Sequence, residues 1–140
     1  MSIKQQSFIV LSLCDEESYG YDEHALPLLI NLIDATNPDF RDSTHTGVVA
    51  CYKTSPKNLS LIEQIVKQAE TWRATDVKFS TLGIGLAEGE LIAEFDWLGR
   101  IKGNLGPIGN ARIEAAKAAQ TSGKYRETLH ALRERLLLVS

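Results

Sequence analysis

The chain predicts an α+β fold, a mainly antiparallel sheet with helices covering one face. Two apolar runs rich in strand formers, SFIVLSL at 7–13 and TGVVACY at 46–52, are each followed by a segment whose apolar residues recur at helical spacing. A third strand-forming region at 77–95 is broken by glycines and leads into an alanine-rich helical pattern. Strands and helices in that order form a sheet with a helical layer rather than a bundle or a barrel. With 140 residues and 44% hydrophobic content, residues 1–140 make one domain around one core.

Each element has its own sequence signal. The continuous apolar run at 7–13 suits a buried central strand. Polar residues from Asp15 to Glu23 then read as a loop, and ALPLLINLI at 25–33 as a short helix. Pro27 fits in its first turn, and Asn37-Pro38 ends it because the residue before a proline avoids α geometry. The strand at 46–52 starts at Gly47, and Ser55-Pro56 supplies a cap and first helical position. Leu59, Ile62, Ile65 or Val66, Ala69 and Trp72 then lie on one face of a helix. The runs 77–86 and 90–95 read as a hairpin whose turn is Glu88-Gly89, glycine tolerating the positive φ of a tight turn. Gly103, Gly106, Pro107 and Gly109 form a loop into a helix over 108–121. Gly123 interrupts that pattern, Tyr125, Leu129, Leu132 and Leu136 resume it, and LLLVS reads as a last strand.

Composition narrows the function. A net charge of −3 and the lack of a basic stripe interleaved with aromatics disfavour nucleic-acid binding. Cys14 and Cys51, each in an apolar run, read as buried hydrophobes of a reducing compartment. The apolar run near the N-terminus is too short to span a bilayer, so the expected location is cytoplasmic with no membrane partner. His24, His45 and His130 lack zinc-ligand spacing. Glu94, Asp96, Arg100 and Lys102 alternate as on a solvated strand face, and Trp97-Leu98 within them suits an anchor between protomers.

The segment GIGLAEGELIAEF, followed by a glycine loop and NARIEAAKAA, resembles the second half of the class III nucleotide cyclase catalytic domain. Gly83, Gly85, Gly89, Glu90 and Leu91 match its G-I-x-x-G-x-[VL] segment, and Ala111, Arg112, Ile113 and Glu114 match the end of its G-x-x-V-N-x-A-x-R-[LI]-E helix. The resemblance implies a ferredoxin-like βαββαβ core, a homodimer with sites between protomers, and a nucleotide ligand. It also implies Mg²⁺ or Mn²⁺ held by two aspartates. The first of these matches Asp15 at the end of the first strand; the second falls on Thr46 beside Gly47, leaving Asp42 as the nearest carboxylate upstream. A threonine hydroxyl is a weak, neutral ligand for such ions. Arg112 aligns with the phosphate-stabilising arginine. Asn110 stands only two residues before it, so at about 100° per residue the two point about 200° apart on one helix. Gly103, Gly106 and Gly109 would cradle the phosphates at the helix start.

The sequence therefore points to a degenerate, cyclase-like regulatory or scaffold module with Arg112 and Asn110 as remnants of the catalytic pair. An active metal-dependent cyclase and an unrelated α+β interaction domain are the alternatives.

Overall fold

The first strand is twice as long as its apolar run. In the computed structural model, which describes residues 2–15, 24–103 and 106–137, β1 spans Ser2–Asp15 and includes the polar segment before Ser7. Those polar residues are held in strand geometry by β4, Leu82–Phe95, which runs antiparallel along the whole of β1. Ser2 lies opposite Phe95 and Asp15 opposite Leu82, with no break in register. The expected hairpin at Glu88-Gly89 is therefore absent. Gly89 sits inside the ladder opposite Phe8, and it is not among the positive-φ glycines.

Between these strands come α1 (Ala25–Asp34), β2 (Phe40–Thr44), β3 (Gly47–Lys53) and α2 (Pro56–Thr75). The expected signals hold here. Ser55 Oγ accepts the Asn58 N–H at 3.1 Å, with Pro56 in the first helical position. Asn37 closes the turn after α1 at φ 50°, a conformation asparagine tolerates better than most residues. β2 was hidden by its polar composition, FRDST, which an edge strand tolerates because only one of its sides pairs. After β4 come β5 (Ile101–Lys102), α3 (Asn110–Ala118) and α4 (Tyr125–Leu136). The pattern expected as one helix over 108–121 is thus shorter, and α4 is a separate helix. The last strand expected at LLLVS has Leu136 in α4 and Leu137 in a turn, and its remaining residues lie outside the described ones.

The sheet order is β2-β3-β1-β4-β5, antiparallel throughout. The run β1-α1-β2-β3-α2-β4 makes a complete βαββαβ unit, and α3, α4 and β5 are additions to it. Alternation along the strands divides the interior in two. On one face Ile9, Leu11, Leu13, Val48, Ala50, Tyr52, Leu82, Ile84 and Leu86 pack beneath α1, α2 and α4. On the other, Phe8, Val10, Cys51, Ala87, Leu91, Ala93 and Phe95 pack with Ala111 and Ala115 of α3. Three helices thus share the expected face, and α3 alone takes the opposite one.

Glycine makes that opposite layer possible. Gly83, Gly85 and Gly89 follow the same alternation as Ala87, and a Cβ on Gly85 would stand 2.0 Å from the Ala115 carbonyl oxygen and 2.6 Å from the Ala119 nitrogen. A Cβ on Gly89 would lie 3.2 Å from the Ala111 Cβ. Gly89, which suggested a turn, is instead with Gly85 part of the floor on which α3 rests. Burial also holds the Tyr52 phenol up to about 12, although its hydrogen bond with Thr36 opposes the shift. Tyr125 is raised to about 12 by burial and by its bond to the Glu70 carboxylate.

Two outcomes follow from this packing. Gly85→Ala meets backbone that no rotamer change relieves and should cost at least about 2 kcal/mol in urea unfolding, whereas Gly89→Ala should cost under about 1 kcal/mol; equal losses would contradict the contact geometry. The raised tyrosines favour the neutral phenol in the folded state over an unfolded value near 10. Their contribution to stability is complete below pH about 10 and disappears as pH rises toward 12. Phenolate absorbance that rises together with loss of circular dichroism in this window would verify it.

Candidate functional site

On the α3 face, residues from distant parts of the sequence gather around the Phe40 ring. The Arg112 guanidinium lies over that ring, 5.3 Å from its centroid. Its Nη1 donates to the Pro107 carbonyl at 2.8 Å, and its Nη2 lies 3.7 Å from Asp42 Oδ2. Phe40 and Asp42 are two apart in β2 and so share a face, which turns both toward α3. Gly106, at φ 68°, crosses the same ring so closely that a Cβ would come within 2.4 Å of it. Gly109 precedes α3 against Leu91, where a Cβ would meet the Leu91 Cδ2 at 2.6 Å.

The loop between β5 and α3 is also tied to the sheet. Ile92 and Ile108 exchange both backbone hydrogen bonds, at 2.8 and 2.9 Å. This bridge fixes the start of α3 relative to β4. Gly106 and Gly109 therefore serve close approach, whereas Gly103, at φ 89°, has open space around its Cβ position.

Beside Arg112 a cleft of about 410 Å³ is lined by Val49, Arg112, Ile113, Ala116, Lys117 and Gln120. Its floor is apolar and two of its walls are cationic, a combination that fits an anion carrying an apolar body. Beneath it Cys51 is fully buried, and desolvation raises its thiol to about 11 despite the opposing charge of Arg112. A thiol in that state is a poor nucleophile at neutral pH.

The residues singled out in the sequence do not all meet here. Arg112, Asp42, Gly106 and Gly109 do. Asn110 is exposed in the first turn of α3, while Arg112 turns to Phe40, as their spacing requires. Gly103 sits apart, beside the cleft between Ile3, Ile92 and Ile108.

Asp15 lies elsewhere. It follows the alternation of Ile9, Leu11 and Leu13 and is opposite Leu82, which places it on the three-helix face. It is 5% exposed; its carboxylate accepts the Thr81 hydroxyl at 2.8 Å and its N–H donates to the Thr46 carbonyl at 2.8 Å. Asp42 is opposite Val49, and Val49 opposite Ser12, on the α3 face. Two strands across and three residues along, the two aspartates are about 14 Å apart at ordinary strand dimensions, with a sheet between their side chains. They do not converge on a metal pair. Among the described residues no group of three or more His, Cys, Asp or Glu side chains is arranged to hold a metal ion.

Phe40, Val49 and Lys117 were missed in the sequence. The i, i+2 spacing of Phe40 and Asp42 was the available signal, but it has meaning only once 40–44 is known to be a strand.

With this geometry in hand, comparison with known proteins supplies the fold class. The chain is similar to solved structures of a bacterial light-regulated adenylyl cyclase. One aligns at TM-score 0.50 with 16% identity over 85% of this chain and 40% of that one, the other at TM-score 0.49 with 15% identity over 84% and 40%. The fold is cyclase-like. This chain spans about 40% of the length of those proteins. No protein-family model and no curated protein matches it. Among the described residues no helix is long and apolar enough to cross a membrane.

Asp15 thus has a structural task of its own. Asp15→Ala should lower stability by about 1–3 kcal/mol, because it removes a buried, hydrogen-bonded acceptor. Asn110→Ala at its exposed position should change it by less than about 0.5 kcal/mol. Urea denaturation of both variants measures the difference, and a silent Asp15→Ala would remove the structural role.

Proposed function

We propose that the chain is a non-catalytic cyclase-fold module, regulatory or scaffolding in role, that takes a nucleotide-class anion in the cleft beside Arg112 and pairs with a second copy. The observation that carries this reading is the separation of Asp15 and Asp42 by the sheet. Two-metal phosphoryl transfer holds its ions about 4 Å apart, between carboxylates that face one another. These two aspartates do not fit Mg²⁺ or Mn²⁺ in that role, so no step is routed through a metal.

The cleft supports the ligand half of the reading. Lys117 and Arg112 supply positive charge, Val49 and Ile113 a surface for an apolar ring, and Phe40 keeps the Arg112 guanidinium flat and in place. Trp97 and Leu98 support the pairing. They are 85% and 54% exposed in the turn after β4, where an unburied tryptophan suits an interface anchor.

The test is direct. The purified chain, incubated with ATP or GTP in Mg²⁺ and in Mn²⁺, should form no cyclic nucleotide. Calorimetry should register ATP or GTP binding that weakens with salt and falls about tenfold in Lys117→Ala, the loss of one charge-assisted contact. Product formation abolished by Asp15→Ala would overturn the non-catalytic reading. Absence of heat and of thermal shift with every nucleotide would remove the ligand and leave protein interaction alone.

A further inference from the structure

The outer edge of β4 stands apart from the residues that line the Arg112 cleft. Ile92 directs both its N–H and its C=O outward to Ile108, and the β1–β4 register continues without a bulge. By strand alternation Leu86, Glu88 and Glu90 direct their own N–H and C=O groups along the same outer edge. Among the described residues no neighbouring strand pairs with these three, and no other element bonds their backbone groups.

Both ends of this stretch are closed. At one end stand the Ile92–Ile108 bridge, Gly109, whose Cβ position lies 2.9 Å from the Glu90 carbonyl oxygen and so bounds the slot at Glu90, and β5, which pairs with Glu94 and Phe95. At the other, the connection at 119–124 passes from the α3 face to the α4 face, with Ala119 against Gly85. Between these stops a cleft of about 380 Å³ is lined by Leu86, Ala87, Glu88, Glu114, Ala118, Lys124 and Thr128. A neighbouring one of about 360 Å³ is lined by Glu88, Glu127, Thr128 and Arg135, among others. The slot from Leu86 to Glu90 is about 17 Å long, the span of a short strand.

Charge selects the occupant. Glu88 is neutralised by its ion pair with Arg135. Glu90, Glu114 and Glu127 are exposed around the slot against Lys124 as the remaining cation there. The rim is net acidic.

We infer that the open edge of β4 between α3 and α4 is a docking slot for a short, basic, extended peptide segment of a partner protein, which adds to the sheet as a strand at Leu86–Glu90. Backbone pairing would satisfy the outward amides, and alternate lysine or arginine side chains on the α4 side of the sheet would meet Glu90 and Glu127. An unpaired edge is otherwise a liability that natural sheets cover or blunt with lysine, and here the edge carries glutamates.

The test uses the full chain and a capped peptide of about five residues alternating lysine and valine. The expected result is saturable binding that slows hydrogen exchange at the Leu86, Glu88 and Glu90 amides. The same peptide N-methylated at alternate residues should bind at least about tenfold more weakly, since it keeps the charge and loses the pairing. Glu90→Lys should weaken the unmodified peptide by a similar factor. No binding, equal binding of the methylated peptide, or protection confined to other amides would overturn the assignment. Protection of these amides that rises with protein concentration in the absence of peptide would also overturn it, in favour of a second copy as occupant.

Discussion

Helix α3 can lie flat against the sheet only because β4 offers it backbone where other strands offer side chains. Gly85, Gly89 and the small Ala87 meet the alanines of α3, and the helix backbone comes within bonding-radius distances of a would-be Cβ at Gly85. Interiors packed at crystal density have no slack for an added methyl group at such a point. What the close approach contributes is position. It sets how far Arg112 stands from the sheet, and so whether its guanidinium reaches the Phe40 ring and the Asp42 carboxylate together.

The same sheet that gathers those groups keeps others apart. Residues on one strand divide between two faces by odd and even number, and the division is inherited across every paired strand. Ile9, Leu11, Leu13 and Asp15 belong to the face of three helices. Phe8, Val10 and, through the pairing with Val49, Asp42 belong to the face of α3. No rotamer change brings a side chain through a sheet, and moving a strand by one residue would turn its whole apolar set to the wrong side. The separation of the two aspartates is therefore as secure as the core itself.

Much of the fold could be read from the residues, and the failures share a cause. Apolar periodicity located α1, α2 and β3, and Ser55-Pro56 marked the start of α2 because capping is a local interaction. The strand character of 2–6 and of 40–44 comes from pairing with distant partners, so polar sequences such as SIKQQ and FRDST gave no local sign of it. Glu88-Gly89 was misread for the complementary reason. Glycine suits a turn, and it equally suits a strand that must admit a helix backbone; only Ala115 and Ala119 on the other side distinguish the two. In the candidate site Arg112 was visible from its motif, whereas Phe40, Val49 and Lys117 join it only through tertiary contact.

The connection that carries the chain from α3 round to α4 also bears on how the protein avoids polymerising. A long, flat, exposed edge invites copies to extend one another's sheets without limit. Here the helix-to-helix connection clasps β4 at one end and the loop anchored at Ile108 clasps it at the other, so the unpaired stretch is too short to seed a fibre. The opposite edge, β2, is only five residues long, and its Arg41 is tied sideways to Asp34 of α1. The β4 edge therefore has room for one short strand and no more, while at the β2 edge an incoming strand would meet the Arg41–Asp34 pair.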